Sequence, residues 1–180
     1  MSHKVAKFYK VTLEQFAKDW KDTFSDNPEY CVDEVIKSIY DNIELPTRAT
    51  VGSNGYDFHI PCNVVMEPGD QLKIPTGIKC NIDYGWGLFI IPRSGLGFKY
   101  KLQLFNTIGD IDCDYYHSDN EGHIFAKLFN SGTKTLKLKQ GDAFMQGVFL
   151  PYGITYDDNT TKTRNGGMGS TDNSGESKKE

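Results

Sequence analysis

Asn106-Thr107-Ile108-Gly109-Asp110-Ile111-Asp112-Cys113-Asp114-Tyr115 sets three carboxylates in alternation with Ile111, Cys113 and Tyr115. In an extended segment Asp110, Asp112 and Asp114 project from one face and the less polar residues from the other. Like charges in a row repel one another unless cations, donors or water answer them, which marks the cluster as a candidate site. Gly109 permits a tight turn or bulge, and Asn106 offers an amide that both donates and accepts. On these residues alone, a solvated acidic hairpin arm is the competing reading.

Around this hairpin, from about residue 50 onward, the chain runs in short β-rich stretches broken by Gly, Pro, Asn and Asp. Gln71-Leu72-Lys73-Ile74, Lys101-Leu102-Gln103-Leu104 and Lys134-Thr135-Leu136-Lys137-Leu138-Lys139 alternate polar with apolar, as half-buried strands do. Leu88-Phe89-Ile90-Ile91 and Val148-Phe149-Leu150 are continuous apolar runs, which predicts strands buried on both faces. With turn signals such as Glu67-Pro68-Gly69-Asp70, the body is predicted to be mainly β, a sandwich or jelly roll spanning residues 46–152.

Residues 1–45 have a different texture. Thr12-Leu13-Glu14-Gln15 can form a capping box, and Leu13, Phe16, Ala17 and Trp20 recur at helical spacing through Phe24. Asn27-Pro28-Glu29 signals a second start, followed by the stripe Val32, Val35, Ile36, Ile39 and Ile43. A helical N-terminal extension of two helices, packed as a flap on the body, is the expectation. Residues 153–180 are rich in Gly, Asn, Thr, Asp and Lys and poor in apolar residues, so they are expected to form a flexible C-terminal arm ordered by binding. The arm lacks the Gly-Lys-Ser/Thr of a P-loop.

The whole chain has 180 residues, 38% of them hydrophobic, which suits one globular domain plus appendages. A net charge of −4 gives no broad basic field, so polymeric nucleic acid is not an expected partner. No stretch has the length and apolarity of a signal peptide core or a membrane span, and a cytoplasmic location without membrane partner is expected. Cys31, Cys62, Cys80 and Cys113 are widely spread with no His at zinc spacing, so free thiols are expected.

Asn106 to Tyr115 resembles the central motif of the trimeric dUTPases, and four further stretches follow the order of that family: Gly55-Tyr56-Asp57, Pro92-Arg93-Ser94-Gly95, Gly141-Asp142 with Gln146, and Arg164 followed by Gly166-Gly167-Met168-Gly169-Ser170-Thr171. Five motifs in order over residues 55–171 are highly specific. The resemblance implies jelly-roll subunits assembled as homotrimers with shared active sites, hydrolysing dUTP to dUMP and pyrophosphate with Mg²⁺. That reaction limits uracil in DNA and supplies dUMP for thymidylate synthesis. Asp112 matches the base that activates water for attack on the α-phosphorus. Tyr115 matches the residue lying against the deoxyribose. Asn106, with backbone groups of Gly109 and Ile111, matches the part that reads uracil.

Arg93, Ser94 and Gly95 match the phosphate motif, although Arg-Ser-Gly alone is also an ordinary strand-end turn. Gln146 matches a phosphate ligand, with a structural hydrogen bond as the alternative. Asp57 matches an outer partner of magnesium acting through water, with a capping or turn role as the alternative. Arg164, Gly166, Gly167, Met168, Gly169 and Ser170 match an arm that closes over substrate at a neighbouring subunit.

The chain departs from the family pattern in four places. Only Asn165 separates Arg164 from Gly166, Met168 stands where an aromatic ring usually caps the base, Asp172 replaces a glycine, and His117-Ser118-Asp119-Asn120-Glu121 is inserted after Tyr116. The insertion is expected to be a solvent-exposed hairpin tip, with His117 and His123 as surface or packing residues. dCTP deaminase has a similar fold but needs a glutamate on the following strand, where this chain reads His123-Ile124-Phe125-Ala126-Lys127-Leu128. A regulatory protein using a dUTPase body, with the extension as its docking surface, is the alternative from another class.

Overall fold

The computed structural model describes residues 3–164 and 166. Its strands are β1 (Ala6–Lys10), β2 (Tyr56–His59), β3 (Val64–Met66), β4 (Gln71–Pro75), β5 (Ile78–Ile82), β6 (Trp86–Pro92), β7 (Leu102–Leu104), β8 (Gly109–Ile111), β9 (Phe125–Asn130), β10 (Leu136–Leu138) and β11 (Ala143–Pro151). They pair antiparallel in the orders β2-β11-β6-β8, β4-β9-β7, β1-β5 and β10-β3. The mainly β, jelly-roll-like architecture read from the sequence is the observed one.

Phe58, Leu88, Ile90 and Phe144 of the first sheet join Ile74, Leu102, Leu104, Ala126 and Leu128 of the second in one hydrophobic cluster. Each fully buried side chain of this size contributes about 1.5 to 3 kcal/mol of burial free energy. Glu67 to Asp70 turns as its residue types require: Asp70 accepts from the Glu67 N–H at 2.7 Å, and Gly69 takes a φ of 91°.

The continuous apolar runs are not buried on both faces. Leu88 and Ile90 are buried while Phe89 and Ile91 are only half-buried, and Leu150 is exposed. β6 is paired antiparallel on both sides, so its side chains alternate between the core and an outer face.

The N-terminal segment is not purely helical. β1 pairs with β5 from Ala6↔Ile82 to Lys10↔Ile78, and Phe8 enters the core. Helix α1 (Leu13–Thr23) starts where Thr12 Oγ1 accepts from the Gln15 N–H at 3.2 Å. Asn27-Pro28 opens only a short 3₁₀ turn, Pro28–Cys31, without a side-chain cap, and helix α2 runs over Asp33–Asp41. Ile36, Ile39 and Ile43 face inward, whereas Val32 and Val35 are exposed. Phe16 and Trp20 are wholly buried and belong to the same cluster as the strands.

Segment 117–121 is not a free tip. The extended chain gives way to a 3₁₀ turn, Cys113–His117, and the segment folds back onto α1. Glu121 accepts from the Thr12 N–H at 3.0 Å and from its hydroxyl at 2.5 Å, and pairs with Lys79 at 3.0 Å. Among the described residues no helix is long and apolar enough to cross a membrane.

Candidate active site

β8 lies against β6 in the register Leu88↔Ile111, Phe89↔Asp110 and Ile90↔Gly109. A Cβ at Gly109 would stand 3.1 Å from that of Ile90, so the close pairing favours glycine. The alternation predicted through Tyr115 ends at Ile111, because the chain turns at Asp112 into the 3₁₀ segment Cys113–His117. Asp110, Asp112 and Asp114 therefore do not continue along one strand face. Their repulsion is answered by Arg164, which donates through Nη2 to Asp112 and through Nε to Asp114 at 2.9 Å. Asp110 has no such bond; burial, then the neighbouring Asp112 charge, pushes its carboxyl up against a smaller opposing pull from Arg164.

A cavity of about 330 Å³ opens here, within the range of small-molecule pockets. Its walls carry Asn106, Gly109, Ile111, Asp112, Tyr115 and Arg164, all singled out in the sequence. Ile124 and Phe125 complete the wall and were not singled out; they sit at the start of the strand that follows the insertion. Tyr115 is 6% exposed, its hydroxyl donating to the His123 carbonyl and accepting from Asn120 Nδ2, both at 2.8 Å. Burial pushes its phenol up. The Arg164 guanidinium lies 5.7 Å from the Tyr115 ring centroid.

Asp57, Arg93 and Gln146 form a second group. Asp57 on β2 stands opposite Gln146 on β11, and Arg93 Nε lies 3.2 Å from Asp57 Oδ1. A Cβ at Gly55 would lie 2.5 Å from Gln146 Oε1 and displace the amide. Among the described residues the Gln146 amide and Asp57 Oδ2 make no hydrogen bond, so both remain available to a ligand. Ser94 and Gly95 are exposed and open a short helix, α3 (Ser94–Tyr100), that the sequence did not predict.

The two groups occupy opposite ends of β6. Ile111 is opposite Leu88, and Arg93 lies five residues further along, roughly 17 Å at strand rise. Among the described residues no cluster of three His, Cys, Asp or Glu side chains could hold a metal ion. The resemblance implies an arm that reaches a neighbour; in the single chain Arg164 returns to its own hairpin. Gly166 has a φ of 132°, open to glycine. Gly167, Met168, Gly169 and Ser170 lie outside the described residues.

The dUTPase family model matches residues 41–175. The chain belongs to the dUTPase family. The deoxyuridine 5'-triphosphate nucleotidohydrolase of Lactococcus lactis subsp. lactis is 39% identical over 132 residues, covering 72% of this chain and 88% of that enzyme. That of Tolumonas auensis is 37% identical over 135 residues, covering 71% and 86%. The crystal structure of the Streptococcus mutans dUTPase superposes with a TM-score of 0.57 at 36% identity, covering 64% of this chain and 90% of that one. A dUTPase from phage phi11 of Staphylococcus aureus shares the fold at a TM-score of 0.56 and 21% identity, and a mutant of that enzyme coordinates a structural Mg(II) ion. As a dUTPase the chain is a dUTP diphosphatase, hydrolysing dUTP to dUMP and pyrophosphate. The family match begins at residue 41, so β1, α1 and most of α2 precede it.

Proposed function

We propose that Asp112 is the general base of dUTP hydrolysis, holding a water in line with the α-phosphorus and taking its proton as the P–O bond forms and pyrophosphate leaves. The observation that carries this reading is the cavity of about 330 Å³ with Asp112, Asn106 and Tyr115 on its walls and a guanidinium beside the carboxylate. A carboxylate is a weak base, so positioning and charge neutralisation supply most of the acceleration. Tyr115 fills the space a ribose 2'-hydroxyl would need, and Asn106 with the backbone of Gly109 and Ile111 reads the uracil edge. Lack of any carboxylate on β9 favours hydrolysis over deamination.

The triphosphate is held by Arg93, Ser94, Gly95 and Gln146. The separation of these residues from Asp112 within one chain supports a site completed between copies, as a homotrimer provides. Arg164 moves from the carboxylates to the phosphates when substrate arrives, which frees Asp112 to accept a proton, while Gly166, Gly167, Met168, Gly169 and Ser170 wrap the substrate. Magnesium bound to the triphosphate would neutralise charge on the phosphates. Asp57, paired with Arg93 through Oδ1, fits the role of holding it through water.

Pyrophosphate release across the deoxynucleoside triphosphates tests this. Release from dUTP is expected, and Asp112→Asn is expected to abolish it while nucleotide binding persists. Residual activity within about tenfold of wild type, roughly 1.4 kcal/mol in barrier, would remove Asp112 from the role.

A further inference from the structure

Tyr115 is held from behind by groups that its own motif does not contain. Its hydroxyl donates to the main-chain oxygen of His123, so the position of the ring depends on the position of that residue. His123 is wholly buried and bonded at both ring nitrogens. Gly77 donates its N–H to Nε2 at 2.7 Å, which leaves Nε2 an acceptor and puts the ring proton on Nδ1. Nδ1 then donates to Asp19 Oδ2 at 2.6 Å. The imidazole also packs on Phe125, a wall residue of the cavity, with ring centroids 4.6 Å apart, and on Phe16 at 6.1 Å.

Asp19 lies on α1, outside the family match, and its same oxygen accepts from Gln15 Nε2 at 2.8 Å. The helix is tied to the same segment a second time where Glu121 holds Thr12. Two fastenings, one at the N-cap of α1 and one in its second turn, therefore join the N-terminal helix to the segment that fixes Tyr115.

We propose that Asp19 is a positioning residue for Tyr115: through His123 it sets where the Tyr115 ring stands in the cavity, so the N-terminal helix tunes discrimination between deoxyribose and ribose. The inference rests on the reading of Tyr115 as the residue that reads the sugar. Asp19 touches no substrate. Without its carboxylate, Nδ1 loses its acceptor and the imidazole can turn or exchange tautomer. The His123 carbonyl and the Tyr115 hydroxyl bonded to it then lose their fixed place, and the ring can yield to a 2'-hydroxyl.

The experiment compares the full-length protein with Asp19→Ala, Asp19→Asn and Tyr115→Ala, measuring kcat and KM for dUTP and UTP, melting temperature, and the ring-nitrogen NMR signals of His123. Asp19→Ala is expected to lower the preference for dUTP over UTP about tenfold and to disturb the Nδ1–H signal, since small displacements of positioning groups carry effects of this size. Asp19→Asn, which keeps an acceptor for Nδ1, is expected to restore most of both. Should Asp19→Ala not fold, Asp19→Ser, whose hydroxyl is too short to reach Nδ1, takes its place. A lowered melting temperature with an unchanged dUTP/UTP ratio in the Asp19 variants, while Tyr115→Ala does change that ratio, overturns the inference alone. An unchanged ratio in Tyr115→Ala overturns the sugar-reading role of Tyr115 and this inference with it.

Discussion

Arg164 donates through Nη2 to Asp112, so in the free chain the carboxylate assigned as the base is held by an arginine of the C-terminal arm. Nε of the same guanidinium holds Asp114 at 2.9 Å. The arm thus answers the electrostatic cost of the acidic hairpin, and it must exchange those partners for phosphate oxygens before Asp112 can accept a proton.

Truncation before Arg164 is expected to leave a folded protein that binds dUTP but turns it over far more slowly. The removed residues, 164–180, carry one large apolar side chain, Met168, so little apolar burial is lost. Calorimetry should show a nearly unchanged melting temperature, and steady-state assays a fall carried mainly by kcat. A large loss of melting temperature would make the arm a structural element instead.

Arg93→Ala and Asp112→Asn chains, each inactive alone, are expected to regain part of the activity when unfolded together and reassembled. Leu88, paired with Ile111 beside Asp112, lies five residues from Arg93, and if one site draws Arg93 and Asp112 from two chains, as proposed, a mixed assembly contains some sites with both intact. Failure to recover activity in mixed assemblies confirmed by native mass spectrometry would place the two residues in separate functions.

Trp20→Ala is expected to destabilise the whole protein by about 3 to 5 kcal/mol in denaturant unfolding, the cost of emptying a large core site. Trp20 is 0% exposed, stacks with Phe24 at 4.6 Å between centroids and donates from Nε1 to the Tyr30 carbonyl at 3.0 Å. Because Phe16 and Trp20 share one cluster with the strands, the loss should appear as a single shifted transition. Independent melting of residues 1–45 would show instead that the extension is a separate unit.

Acid is expected to loosen the grip between α1 and the 117–123 segment. Burial pushes the Asp19 and Glu121 carboxyls up, but bonds from His123 and Gln15 to Asp19, and from Thr12 and Lys79 to Glu121, outweigh it and leave both below their ordinary values of 3.8 and 4.5. A carboxyl depressed in the folded state stabilises fully above its unfolded value and loses that contribution as pH falls through the folded one. Melting temperature should therefore drop below about pH 4.5, and Glu121→Gln should flatten that drop. An identical acid profile in Glu121→Gln would exclude Glu121 from it.

Local chemistry made much of this protein legible. Alternating residues such as Leu136-Lys137-Leu138 form the strand their period predicts, Thr12 caps the first helix, and Asn106, Gly109, Ile111, Asp112 and Tyr115 line one cavity because they sit within ten consecutive residues. The sequence misled where a residue's fate depends on distant partners. Asn27-Pro28 carries a start signal but opens only one 3₁₀ turn, and Ala6–Lys10, in a segment expected to be helical, forms a strand by pairing with β5.

Charge pairing shows the same division. Three aspartates in alternation announce that something must neutralise them, but nothing in residues 106–115 names Arg164, which lies fifty residues on and meets Asp114 and Asp112 only through the path of the arm. Likewise a glutamate in the inserted loop and a histidine just after it carry no signal of their own. Packing α1 against β4 is what sets Asp19 against His123 and Thr12 against Glu121. Sequence determined the residue types and their local geometry, since these follow from backbone sterics and side-chain chemistry within a few positions. Tertiary structure alone decided that Arg164 meets the acidic hairpin and that α1 backs the loop behind Tyr115, because those contacts span 50 to 109 residues of chain.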